Sequence, residues 1–194
     1  MGTHISAMAD LKVTRICGAI YEASMDQEEF YRFYPLLDSW LRKTLVTFAG
    51  PSRKIVSCGF PRLPLYFSTE MLASANVVLV DKLPVPPLSS WGLKRFAELE
   101  RGNFDGITYL DTFFLKHAQS RNEAIHFHEL IHVAQWRILG PERFLYSYAN
   151  GFERYGYRDS PLEVMAYDAE AVFRTSAGAF DAEKFVAEKL AQSA

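Results

Sequence analysis

Apolar residues at Phe30, Phe33, Leu37, Leu41, Leu45 and Phe48 recur at helical spacing until Gly50-Pro51 closes the pattern, which predicts an amphipathic helix. Ahead of it, Ser24-Met25-Asp26-Gln27 reads as a capping box, Ser24 and Gln27 each satisfying a backbone donor. Pro35 falls inside the pattern and is expected to kink the helix or to start a second one. Before it, 13–21 is β-rich enough for a strand, although Gly18 weakens it. The pattern then shortens. Residues 55–56, 65–67 and 77–80 are brief apolar runs divided by Pro, Gly, Ser and Asn, as in strands of a small mixed sheet. Leu83-Pro84-Val85-Pro86-Pro87-Leu88 is polyproline-like and reads as a wall or connector. A short helix is expected over 91–101, stopped by Gly102. Asp105-Gly106 marks a turn, and the aromatic, β-branched 107–115 reads as one strand. Helical patterns follow over 121–139, closed by Gly140-Pro141, then over 141–150, 161–174 and 181–192. Asp181 can cap the last of these, with Phe180 and Phe185 as a hydrophobic staple. Short strands followed by helices give an α+β chain.

Composition refines this only slightly. The 194 residues are 49% apolar and 14% aromatic, enough for a substantial core and against disorder. One domain is expected over 10–194, with 10–140 supplying the sheet and a central helix and 141–194 a helical part. Residues 1–9 read as tag-derived or disordered, with Met8 a plausible natural start, so His4 carries no functional weight. A net charge of −2 gives no reason to expect nucleic acid or a membrane surface as partner. No apolar run approaches the roughly 18 residues of a membrane span, and the first residues lack the apolar stretch of a signal peptide. Cys17 and Cys58 are too few for a disulfide scaffold, so a reduced, cytoplasmic protein is expected.

The chemistry concentrates in His128-Glu129-Leu130-Ile131-His132. Four helical residues rotate through about 400°, so both histidines project from one face, one turn apart. Two imidazoles so placed can share a tetrahedral Zn²⁺ at roughly 2.0–2.1 Å each. Glu129 follows the first ligand and can act as general base on water, while Leu130 and Ile131 face the core. The bland alternative is a surface helix with two ordinary histidines.

A catalytic zinc usually takes three protein ligands, so a third is needed. The extended HExxHxxGxxH pattern is absent, because Gln135 and Ile138 stand where it requires Gly and His. Glu163 is the first candidate, 31 positions after His132 at the start of a separate helix. Ser160-x-x-Glu163 is equally a capping box with Pro161 at the first helical position, in which Glu163 would only bind the Ser160 amide. Glu170 shares the helical face two turns on. Asp159 and Asp168 are weaker candidates, and Cys58 could supply a thiolate.

The segment His128-Glu129-Leu130-Ile131-His132-Val133-Ala134-Gln135-Trp136, followed by Pro161-Leu162-Glu163-Val164-Met165-Ala166-Tyr167, resembles zincin metallopeptidases of the glutamate-ligand type, in particular small bacterial zincins with a HELxHxxQ helix. The resemblance covers about 105–175. It implies a zincin-like fold, with a small mixed sheet, an active-site helix and a C-terminal helical subdomain carrying the third ligand. It also implies zinc held by His128, His132 and Glu163, and hydrolysis of a peptide or protein substrate. One departure stands out: four residues after Glu163 comes Tyr167 rather than Asp, leaving the partner of the first histidine unassigned.

On this reading zinc activates water and polarises the carbonyl, and Glu129 moves the proton from water to the leaving amine. The oxyanion needs a further donor, and Tyr157 and Tyr167 are the foremost candidates, with Tyr155 and Arg158 beside them. The resemblance further implies that the strand at 107–115 offers its edge to an extended peptide. His126 projects from a different face and reads as a non-ligand; His117 is unassigned. Gln135 and Trp136 read as ties between the helix and its surroundings. Two other readings compete: a non-catalytic zincin-like module that binds a peptide or partner, and a zinc amidohydrolase acting on small substrates. The deformylase-like version of the latter ranks low, because Val56-Ser57-Cys58-Gly59 does not supply its motif.

Overall fold

The computed structural model describes residues 26–175 and 178–192. The strand expected over 13–21 and Ser24 of the expected capping box lie outside these residues. Helix α1, Gln27–Thr47, starts on Asp26, whose carboxylate accepts the Glu28 N–H at 2.9 Å. Pro35 neither breaks nor restarts it. Pro35 is exposed, so the missing backbone bond falls where water can replace it.

Among the described residues, four strands form one mixed sheet in the order β1-β2-β4-β3: β1 Arg53–Lys54, β2 Asn76–Val80, β3 Gly106–Tyr109 and β4 Thr112–Lys116. β2 and β4 run parallel, while β1/β2 and β3/β4 are antiparallel. Two expected strands are absent. Residues Ile55–Cys58 and Leu63–Leu65 are 3₁₀ turns instead. Pro61 and Pro64 lack the N–H that a ladder needs, yet Ile55, Leu63, Tyr66 and Phe67 still reach the core. The single strand expected over 107–115 is a hairpin, closed by the pair Tyr109↔Thr112. Its turn holds Leu110 at φ 54°, a conformation that costs a non-glycine residue energy. Packing of the Leu110 side chain against the core offsets that cost.

The short helices α2 (Thr69–Ser74) and α3 (Ala97–Arg101) flank β2 and precede β3. Gly102 ends α3, as expected. The segment 83–88 has no regular structure and forms a wall, with Val85, Pro86 and Leu88 lining a partly open cavity. Helix α4, Glu123–Tyr155, then runs through the centre of the molecule. Gly140, at φ 72° and ψ 167°, breaks it into segments 123–139 and 141–155, the second begun by Pro141. Helices α5 (Pro161–Thr175) and α6 (Ala182–Ala191) complete the described chain. α6 has the expected devices: Asp181 accepts the Lys184 N–H at 2.9 Å, and the Phe180 and Phe185 rings lie 5.6 Å apart.

The first segment of α4 packs against α5 and α6 as well as β3 and β4. Phe127, Leu130, Ile131 and Val133 are fully buried, as are Phe113, Phe114 and Leu115 of the central strand β4. A helix buried on all sides belongs to the core, so every polar group on it must find a partner there. A second apolar cluster, built on Phe30, Leu88, Leu93, Phe96 and Phe152, joins α1 to the 88–96 segment and the second half of α4. The molecule is thus mixed α+β. No helix among the described residues is long and apolar enough to cross a membrane.

Candidate metal centre

His128, Glu129 and His132 sit on the buried part of α4, each no more than 5% exposed. Helical spacing brings the two imidazoles together, with Nε2 atoms 3.2 Å apart. Each ring is fixed through its other nitrogen. His128 Nδ1 donates to Glu170 Oε2 at 3.1 Å, and Arg174 donates to the other Glu170 oxygen at 2.8 Å. His132 Nδ1 donates to Gln135 Oε1 at 2.8 Å. The Gln135 amide is oriented by its own N–H bond to the Leu162 carbonyl at 2.9 Å. Both Nε2 lone pairs therefore point at one spot. Such a spot suits a proton shared between the two rings or a cation that both of them bind.

Glu163 supplies the third group from the first turn of α5. Its Oε2 lies 3.5 Å from His128 Nε2 and 3.5 Å from His132 Nε2, is fully buried, and has no hydrogen-bond partner. Its Oε1 accepts from the Tyr148 hydroxyl at 2.9 Å. The capping-box reading fails here: the Ser160 N–H goes to the Tyr157 carbonyl, and Ser160 Oγ is unpartnered. Four ligands at about 2.0–2.1 Å around a tetrahedral zinc stand roughly 3.3–3.4 Å from one another. The three donor atoms, at 3.2, 3.5 and 3.5 Å, already have that mutual spacing. His128, His132 and Glu163 fit a metal ion. They are the one such group among the described residues.

The charges agree. Burial alone would raise Glu163, but His132 and His128 outweigh it and hold the carboxyl well below its ordinary range. Burial likewise disfavours a charged His128, yet the Glu163 and Glu170 carboxylates lift it to about 10. Glu129 is pushed up, chiefly by burial, against the pull of the two histidines and Thr108. Its Oε2 accepts the Thr108 hydroxyl at 2.6 Å. Its Oε1 lies over Gly106, where an added Cβ would come within 2.2 Å of it. Strand β3 is itself tied to α4 by the Trp136 indole N–H, which donates to the Thr108 carbonyl at 3.1 Å.

Tyr157 lines the cavity beside the centre, its ring 4.3 Å from Phe104, and its hydroxyl is bonded to Tyr167. The Tyr167 ring rests 4.6 Å from the His128 ring, with Arg158 over its other side at 4.7 Å. Tyr155 is exposed at the end of α4, away from the group. His126 is buried against Phe60 and donates to the Asn122 carbonyl at 2.9 Å, so it is no ligand. His117 is exposed beside Asp81. Cys58, Asp159 and Asp168 do not join the cluster. Glu170 does not ligate either; it takes the supporting place beside the first histidine that Tyr167 left open.

Sequence reasoning missed Thr108, Gly106 and Tyr148. The first two lie in β3, the first strand of the hairpin, where Gly106 reads only as part of a turn, and Tyr148 lies one turn beyond Phe144, whose ring stacks on Trp136 at 3.9 Å. None carries a sequence signal of its own. Searches of family models, curated proteins and solved structures gave no match to this chain.

Proposed function

We propose that this chain is a zinc-dependent metallopeptidase of zincin-like build, with His128, His132 and Glu163 as the zinc ligands. The observation that carries the reading is the tetrahedral-edge spacing of three buried donor atoms, one of them an unpartnered carboxylate oxygen, with Glu129 adjoining them. Bound there, zinc would supply Lewis-acid activation of water and of the scissile carbonyl. Glu129 takes the proton from the attacking water on Oε1, the oxygen that Thr108 does not engage, and returns it to the leaving nitrogen. Burial raises its proton affinity above that of an ordinary carboxylate, the direction a proton acceptor needs. The Tyr157 hydroxyl, held protonated by burial, donates to Tyr167 and would turn from it to meet a developing oxyanion in the cavity. Tyr167 orients it and packs the His128 ring. Tyr148 fixes Glu163 through the oxygen that faces away from the histidines.

Enclosure of the site favours a second reading, hydrolysis of a small amide, since Glu129 is only 4% exposed. Zinc content and turnover of a peptide library and of small acyl amides test both. Glu129→Gln should keep one zinc and lose about 10²–10⁴-fold in turnover. Undiminished turnover in that variant would overturn the mechanism, and cleavage of small amides alone would select the second reading.

A further inference from the structure

We propose that the apolar chamber beside the triad is the pocket for one uncharged aromatic ring, or a comparably bulky apolar group, carried by the substrate next to the scissile amide. The chemistry rests on the hydrolase reading above; the binding does not. A cavity of about 150 Å³ runs from Glu129, His132 and Glu163 towards α1 and the proline-rich segment. Its walls include Phe33, Leu37, Val85, Leu88, Ile107 and Ala149.

Size decides between occupants. An apolar cavity of roughly 150 Å³ stays dry and takes up benzene, whereas pockets for drug-sized ligands run to about 300–1,000 Å³. One ring fits. A whole cofactor does not.

Charge decides the chemistry. Beyond the triad and Glu129, the charged lining residues are Glu29 and Arg95, which pair with each other at 2.5 Å, and Arg95 also meets Glu153 at 3.1 Å. Away from the Glu129 and Glu163 end, a charged substrate group would lose its water and gain no free partner.

The void is also pinned open. Its walls come from separate parts of the chain, and two hydrogen bonds tie neighbouring walls together. The Tyr109 hydroxyl donates to the Pro84 carbonyl at 2.8 Å, and Tyr31 donates to Glu142 at 2.7 Å. Close-packed interiors rarely keep apolar space of this size, because an empty cavity destabilises the fold. Continuity with Glu129 gives the space a use.

The test separates binding from cleavage. Toluene and benzylamine carry the same ring and differ by one charge. Titrated into the full chain and followed by methyl NMR, toluene should shift the Leu37, Leu88 and Ile107 resonances saturably, and benzylamine should bind about tenfold more weakly or less. Ala149→Phe and Val85→Phe each fill the chamber and should abolish the toluene shifts, with circular dichroism confirming the fold of whichever variant is used. In the zinc-loaded protein, peptides should be cut next to Phe, Tyr or Leu at least about tenfold faster than next to Lys or Glu, and the filled variants should lose that preference. No saturable toluene binding, or equal binding by the filled variants, would overturn the pocket. Toluene binding without cleavage of any amide would leave the pocket standing and remove the hydrolase reading. Cleavage without residue preference would remove the pocket's role and leave the hydrolase.

Discussion

As the proposed base, Glu129 meets opposing demands: a buried carboxylate must be paired, yet a base must keep one oxygen free. Thr108 resolves this by holding Oε2 and leaving Oε1 over the space that Gly106 keeps clear. Hydrogen bonds to charged groups are worth about 1.5–3 kcal/mol, so Thr108→Val should lower kcat/KM by roughly 10–150-fold. Zinc content should not change, and Thr108→Ser should restore activity. In the metal-free protein the proton on His128 stands in for the ion. Its affinity rises from the ordinary 6.5 to about 10, against the burial penalty, through Glu163 and Glu170. Because the folded value is the higher one, its stabilisation is complete below about pH 6.5 and is lost as pH rises through about 10. Zinc must displace that proton, so calorimetry in buffers of different ionisation enthalpy should show about one proton released per ion between pH 7 and 9. The two histidines and Glu129 were legible in the sequence because helical spacing alone aligns them. Glu163 was ambiguous, since a cap and a ligand both call for a glutamate three residues into a helix. Only the direction of its Oε2 tells them apart.

At the scale of elements, the break in α4 matters most. Gly140-Pro141 read as a helix end, and it is one in backbone terms, but the second segment extends to Tyr155 and brings Tyr148 back to Glu163. The Gly140 backbone occupies a region essentially closed to other residues, with open space around it. Gly140→Ala should therefore cost about 1–3 kcal/mol through backbone strain alone. For a domain of this size that lowers Tm by roughly 2–12 °C, measurable by calorimetry; an unchanged Tm would mean the kink relaxes. The caps and the staple of α6 were readable because they are local. The hairpin of β3 and β4 was not, since Leu110-Asp111 is no standard turn pair and depends on core packing of Leu110. The same limit applies at 55–58 and 63–65, where apolar residues serve the core without joining the ladder.

Across the whole molecule, the ion would bridge the two helices that enclose it. Binding to the folded form alone stabilises by about 4.1 kcal/mol at a thousandfold excess over Kd, so zinc should raise Tm by roughly 8–16 °C. Protein unfolded in chelator and refolded without metal gives the baseline, and His128→Ala should show no response. The α+β class was legible from alternating short runs and long periodic stretches. The second apolar cluster was not, because its members come from α1, the 88–96 segment and the far end of α4.

Glu163 stands 31 positions after His132 and comes from another helix. At about 5–20 residues per second, the ribosome releases the two histidines some seconds before the carboxylate. A nascent chain thus presents only half a site, and a buried three-donor site awaits the docking of α5. Metal loading would then wait for α5 and be joined to that step of folding.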